Sequence, residues 1–132
     1  MNKQIALITG ASKGIGAATA IALAQDGFDI WLNYRSDHAA AEQIRENIIG
    51  IGSNCLLLPF DVCDREQVNQ TLEPLLKSAA PYAVINNAGF AKDGLMMWMS
   101  DNDWDNVLDV HLGGFFNVTI DNFFFSCHGV SW

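Results

Sequence analysis

"TGASKGIG", Thr9 to Gly16, is the stretch on which the fold turns. A short apolar run, Gln4 to Thr9, leads into it, and the Ala-rich stretch "GIGAATAIALAQDG" leads out, with apolar residues at helical spacing and Gly27 as a natural C-terminal cap. A glycine-rich turn between a strand and a helix leaves the first N–H groups of that helix uncovered, and those groups, with the helix dipole, attract a phosphate. Gly10 permits the tight turn, Gly14 the approach of a diphosphate, and Gly16 close helix-to-strand packing. Ser12 and Lys13 stand ready to donate to phosphate oxygens. With 11 glycines in the chain, the letters alone also fit an ordinary turn; their position is what carries the argument.

Outward from this turn, brief runs rich in Ile, Val or Leu alternate with amphipathic stretches, the pattern of β-α-β units around a parallel sheet covered on both faces. The further strands are expected at Asp29 to Tyr34, Asn54 to Phe60 and Tyr82 to Asn86. Helices are expected from about Asp37 to Ile49 and from Asp64 to Ser78, and a fourth opens at Ser100, where Asp103 completes a capping pair.

Each strand end carries a polar cluster. Roughly 20 residues beyond the glycines, the place that reads an adenosine ribose in dinucleotide folds holds Asn33, Tyr34 and Arg35 instead of an acid. Arg35 with Lys13 suits a 2′-phosphate, which favours NADP over NAD; the plain alternative is a solvated Arg after a strand. In "PFDVCD", Asp61 either accepts from an adenine amino group, with the Val62 backbone beside it, or serves only the turn in which Asp64 caps the next helix. In "AVINNAGF", Asn86 and Asn87 are placed to bond neighbouring loops, while Ala88 and Gly89 leave room for a flat ring.

Composition limits the alternatives. The 132 residues suit one domain, and half of them are hydrophobic, which leaves apolar surface for a partner. A net charge of -8 opposes nucleic acid and anionic membranes. No apolar stretch reaches the roughly 20 residues of a membrane span, and "MNKQIALITG" reads as a strand rather than a signal peptide. Three cysteines in no metal-like pairing, Cys55, Cys63 and Cys127, argue against a disulfide framework or a metal site and fit a reducing cytoplasm. The glycosylation triplets at Asn69 and Asn117 carry no weight without secretion.

Taken in order, "LITGASKGIGAATAIALAQDG", "NYRS", "FDVCD", "NNAG" and "KDGLMMWMSDNDWDNVLDVHLGGFFNVT" resemble the short-chain dehydrogenase/reductase family, most closely its 3-oxoacyl-acyl-carrier-protein reductase branch, over residues 1 to about 119. The resemblance implies a Rossmann-like doubly wound α/β fold with three layers and strand order 3-2-1-4. It implies NADP(H) held by Gly10, Ser12, Lys13, Gly14, Ile15, Gly16, Arg35, Asp61, Val62, Asn87 and Gly89. It also implies hydride transfer to C3 of a 3-oxoacyl thioester, with a Tyr as proton donor, a Lys that lowers its pKa, a Ser that orients the carbonyl and an Asn in a water relay.

After about Thr119 the likeness stops, and residues 120–132, "IDNFFFSCHGVSW", form a divergent tail. The Ser and Tyr-x-x-x-Lys of the family do not occur: Tyr34 and Tyr82 are followed four residues on by His38 and Asn86. No catalytic residue is therefore assigned, and the expectation is a truncated chain, inactive alone and prone to associate or aggregate through an unpaired sheet edge. At the relay Asn stands His111, read as relay or as packing residue; Cys127 with Cys-adjacent His128 makes a poor chelate. The functional alternatives are a non-catalytic NADP-binding module or a partner of a full-length reductase, docked through the helix holding Asp105 to Thr119. Homo-oligomers through that helix are what the resemblance implies.

Overall fold

A computed structural model of the chain describes residues 3–88, 113, 114 and 116–119. Chain order is β1 (Ile5–Ile8), α1 (Gly14–Gln25), β2 (Asp29–Tyr34), α2 (His38–Ile51), β3 (Cys55–Pro59), α3 (Arg65–Leu76) and β4 (Ala83–Ile85). All strand pairs are parallel, and the sheet runs β3-β2-β1-β4, the order the resemblance implies. Ile5 pairs with Asp29, Ala6 with Ala83 and Ile30 with Cys55, so the four strands end together on one side.

Successive strand residues point to opposite faces, and each face carries its own core. Ala6, Ile8, Ile30, Leu32 and Tyr34 pack with Ala20 and Ala24 of α1 and with Ala41 and Ile48 of α2. Leu7, Trp31, Leu58 and Phe60 pack with Val68, Leu72 and Leu76 of α3 and with Val118. The result is three layers, α/β/α. The α1 residues facing the sheet are small, Ala17, Ala20 and Ala24, which lets this helix lie close to β1. In α3 the buried residues recur every four positions, the stripe of a helix with one covered face.

Local signals place the helix ends. Past α1, the Gly27 N–H donates to Ala24 and the Phe28 N–H to Leu23, at 3.1 and 3.0 Å, the paired closure that a left-handed glycine makes after a helix. Asp37 caps α2 by accepting from the Ala40 N–H, and Asp64 caps α3 by accepting from Glu66 and Gln67. α2 runs to Ile51, two residues beyond its expected end, because the left-handed turn falls on Gly52. Of the helix expected from Ser100 only 113, 114 and 116–119 are described, and 116–119 are helical; Gly89, His111, Cys127 and His128 and the tail at 120–132 lie outside the described residues.

Strand order reverses at β1, with β2 on one side and β4 on the other. At such a switch point the loops leaving neighbouring strands diverge and open a crevice at the strands' C-terminal ends. Every polar cluster singled out in the sequence follows one of those ends.

Candidate functional site

The turn after β1 is held from three directions. Thr9 donates its N–H to the Ile85 carbonyl at 3.0 Å, and its hydroxyl oxygen accepts from the Asn87 and Ala88 N–H groups, each at 3.0 Å. The Asn87 side chain donates to the Gly10 carbonyl at 3.1 Å, and the Ala11 N–H donates to the Asn33 carbonyl at 2.9 Å. Gly10 has φ +61°, and a Cβ there would stand 2.8 Å from the Ala88 Cα. At Gly16 a Cβ would stand 2.5 Å from both the Asn87 side chain and the Gly10 carbonyl oxygen. Gly16 therefore serves the contact of α1 with its own preceding turn and the β4 loop, a closer role than general helix-to-strand packing. Beside Gly14 there is open space. No side chain caps α1, and its first turn holds no acid, so its N-terminal partial charge is not neutralised locally.

At the end of β2 the chain splits its tasks. Asn33 is buried at 2 % exposure: its oxygen accepts from the Gly10 N–H at 3.1 Å, and its amide donates to the Leu58 and Phe60 carbonyls, both at 3.0 Å. It stitches the β1 turn to the end of β3. Tyr34 is also buried, its hydroxyl hydrogen-bonded to His38 Nδ1, and it contributes nothing to the cleft wall. Arg35 is well exposed and lies 3.6 Å from an Asp61 carboxylate oxygen.

After β3, Asp61 does two things at once. One carboxylate oxygen accepts from the Cys63 N–H at 2.9 Å, closing the turn, while the other faces Arg35. Its own N–H is taken by Gln67 Oε1 at 3.0 Å. The turn role read for Asp61 in the sequence is present, and its second oxygen is paired with Arg35.

These pieces surround a cleft of about 530 Å³. Of the residues singled out in the sequence, Gly10, Ser12, Lys13, Ile15, Asn33, Arg35, Asp61, Val62, Asn87 and Ala88 line it, and Gly14, Gly16 and Tyr34 do not. Ser36, Asp37 and Phe60 line it as well and were not foreseen. Asp37 was legible as a helix cap; its second position, in the cleft wall, follows from the tight passage from β2 into α2.

The family model for short chain dehydrogenases matches residues 4–122, spanning the sheet, the turn and all the loops just described. The chain belongs to the short chain dehydrogenase family. Among curated relatives, the chain is 42% identical over 113 residues to the 3-oxoacyl-acyl-carrier-protein reductase FabG of Aggregatibacter actinomycetemcomitans, covering 85% of this chain and 47% of the relative. It is 37% identical over 120 residues to the 3-oxoacyl-acyl-carrier-protein reductase of Synechocystis sp., covering 90% and 49%. With the corresponding reductase of Staphylococcus epidermidis the figures are 36% over 118 residues, 89% and 48%. The chain spans about half the length of the curated relatives it matches.

Among the described residues, no three His, Cys, Asp or Glu side chains gather as metal ligands, and no helix is long and apolar enough to cross a membrane. The Cys55 thiol is pushed up to about 11, chiefly by burial, with Arg45 opposing and Glu42 adding to the rise. Since the thiolate is the reactive form, Cys55 at pH 8 should alkylate roughly a hundredfold more slowly in the folded chain than in urea. Mass-spectrometric site mapping after iodoacetamide treatment checks this; equal rates would mean that β3 is not covered as described.

Proposed function

We propose that this chain binds NADP(H) and forms the cofactor-holding half of a carbonyl reductase acting on 3-oxoacyl thioesters linked to a carrier protein. The observation that supports it best is the uncapped start of α1 opening on a cleft whose cations, Lys13 and Arg35, stand against a strongly acidic chain. Membership of a dehydrogenase family implies a nicotinamide cofactor, and the donor set fits one. Of the residues lining the cleft, Ser12, Lys13 and the Ile15 N–H suit the diphosphate, Asp61 and Val62 the adenine, and Asn87 and Ala88 the nicotinamide side; Gly14, Gly16 and Gly89 enter on the resemblance alone. When bound, the nicotinamide supplies the hydride; the chain's residues bind it, orient it and keep its two ends apart.

The choice of NADP over NAD rests on Arg35. Its ion pair with Asp61 is exposed, and such pairs contribute only about 0–1 kcal/mol, so a 2′-phosphate can draw the guanidinium away at little cost. A phosphate contact of this charge-assisted kind is stronger, about 1.5–3 kcal/mol. Arg35→Ala should therefore weaken NADPH roughly 10- to 100-fold and change NADH less than threefold, read by titration of the reduced nicotinamide fluorescence. Asp37 in the cleft wall is the observation that favours NAD instead, since an acid near the ribose holds its 2′-hydroxyl. Tighter NADH than NADPH in the unmodified chain would settle in that direction.

Turnover is a separate matter. The family's Tyr-x-x-x-Lys pattern does not occur in these 132 residues, so we assign to this chain binding without proton delivery. Incubated alone with NADPH and a 3-oxoacyl thioester it should consume no cofactor, and consumption would overturn the assignment. Association with a full-length reductase has one observation in its favour: among the described residues, Phe116 is 53% exposed in the segment read as a docking helix, with the Arg65 guanidinium over its ring. Co-purification with such a reductase tests that reading, and a cytoplasmic location would accompany either.

A further inference from the structure

The loop after β3 is held from two sides. On its own side Gln67 accepts from the Asp61 N–H, and the Asp64 N–H donates to the Asp61 carbonyl at 3.0 Å. On the other side stands a segment more than fifty residues away in sequence. The Asn117 amide donates to the Val62 carbonyl at 2.9 Å. Gly114 lies so close that a Cβ there would meet Val62 Cγ2 at 2.6 Å and Val62 Cβ at 3.0 Å. Val118, fully buried, anchors the same segment in the core beside Phe60 and Val62. Thr119 accepts from the Asn86 amide at 3.1 Å, tying the segment to the loop after β4 as well.

We infer that Asn117 is a positioning residue for adenine recognition, fixing the Val62 peptide so that the Asp61 carboxylate faces the base. The inference rests on the proposed NADP(H) site. Its physical basis is the count of restraints on a short loop. Asp61 has one carboxylate oxygen committed to the Cys63 N–H, so the direction of the other follows the backbone between Asp61 and Cys63. That backbone passes through the carbonyl that Asn117 holds. Without the amide, the Val62 peptide loses its one side-chain donor from the 113–119 segment among the bonds described, and the carboxylate oxygen paired with Arg35 loses a fixed aim.

The discriminating probe is the deamino analogue of NADPH, in which hypoxanthine replaces adenine and presents a carbonyl oxygen where adenine presents an amino group. A fixed Asp61 carboxylate accepts from the amino group and repels the oxygen, so the unmodified 132-residue chain should prefer NADPH about tenfold. Asn117→Leu should bring that ratio below about threefold, and Asn117→Asp, equal in size but without the amide donor, should do the same. A merely structural loss would weaken both dinucleotides alike and leave the ratio unchanged; that result overturns the inference. Because either variant can lose its fold, a second measurement uses the unmodified chain. On adding NADPH, the Asn117 side-chain amide resonance should shift together with the Cys63 and Asp64 backbone amides, and an unmoved Asn117 resonance beside shifted loop amides contradicts the inference. If the unmodified chain binds neither dinucleotide, the cofactor reading itself fails; if it binds NADPH and the variants keep the ratio, only the role of Asn117 fails.

Discussion

Gly16→Ala should lower both the stability of the chain and its affinity for the dinucleotide, the latter by at least roughly tenfold. In a helix an alanine usually stabilises relative to glycine by about 0.5–1 kcal/mol, so helix propensity alone predicts the opposite. The neighbours decide the sign. The added Cβ would lie 2.5 Å from the Gly10 carbonyl oxygen and 3.0 Å from the Ala11 Cα, both backbone atoms of the turn, and 2.5 Å from the Asn87 amide. Backbone cannot step aside as a side-chain tip can, and forced packing of this kind costs about 1–3 kcal/mol. The Asn87 bond to Gly10 crosses the same space and would be broken or lengthened. The turn therefore moves, and with it the N–H groups proposed to hold the diphosphate. Gly14→Ala is the contrasting case: nothing stands within 4 Å of its Cβ position, and the cost is that of a left-handed alanine at φ +61°, about 1–2 kcal/mol. Urea unfolding and NADPH titration on both variants check the pair. Equal and small changes at the two positions would show that the turn is looser than its contacts imply.

Asn33→Leu should be the most damaging single change in the sheet, costing on the order of 3 kcal/mol or more and removing dinucleotide binding along with the fold's cooperativity. Leucine is close to Asn in shape, so volume is not the issue. The substitution strands the part-buried Gly10 N–H and the buried Leu58 and Phe60 carbonyls, and each buried polar group left without a partner costs about 1–3 kcal/mol. Asn33→Asp should be little better: its second oxygen would face those two carbonyls where the amide now donates. A urea midpoint within experimental error of the unmodified chain for either variant would show that water replaces Asn33 at this junction.

Much of this architecture is legible in the sequence because periodicity and punctuation agree. The run from Asp29 to Tyr34 was bounded correctly, and the Ala-rich face of α1 and the caps at Asp37 and Asp64 stood where short-range chemistry puts them. The sheet order, in contrast, came from family resemblance; strand composition does not encode neighbours. What sequence reasoning missed are directions. Asn33, Tyr34 and Arg35 are consecutive, yet one joins the β1 turn to the end of β3 from inside, one is buried against His38, and one is exposed at the cleft. Alternation along β2 separates Tyr34 from its neighbours, but the partners of Asn33 lie 23 to 27 residues away. Phe60 and Ser36 enter the cleft wall through the bends that follow their strands, and no local pattern announces that. Asn117 was noticed only as part of a glycosylation triplet; its bond to Val62 joins positions whose proximity only the folded chain supplies.

The most direct measurement is a titration of the isotope-labelled chain with NADPH, followed residue by residue in backbone amide resonances. Binding at the turn predicts the largest shifts at Ser12 to Gly16, with further changes at Arg35, Asp61 and Asn87. Amides of Ser12 to Gly16 left unmoved at saturating NADPH, or shifts confined to the opposite, N-terminal ends of the strands around Lys3, Asp29 and Tyr82, would contradict the account.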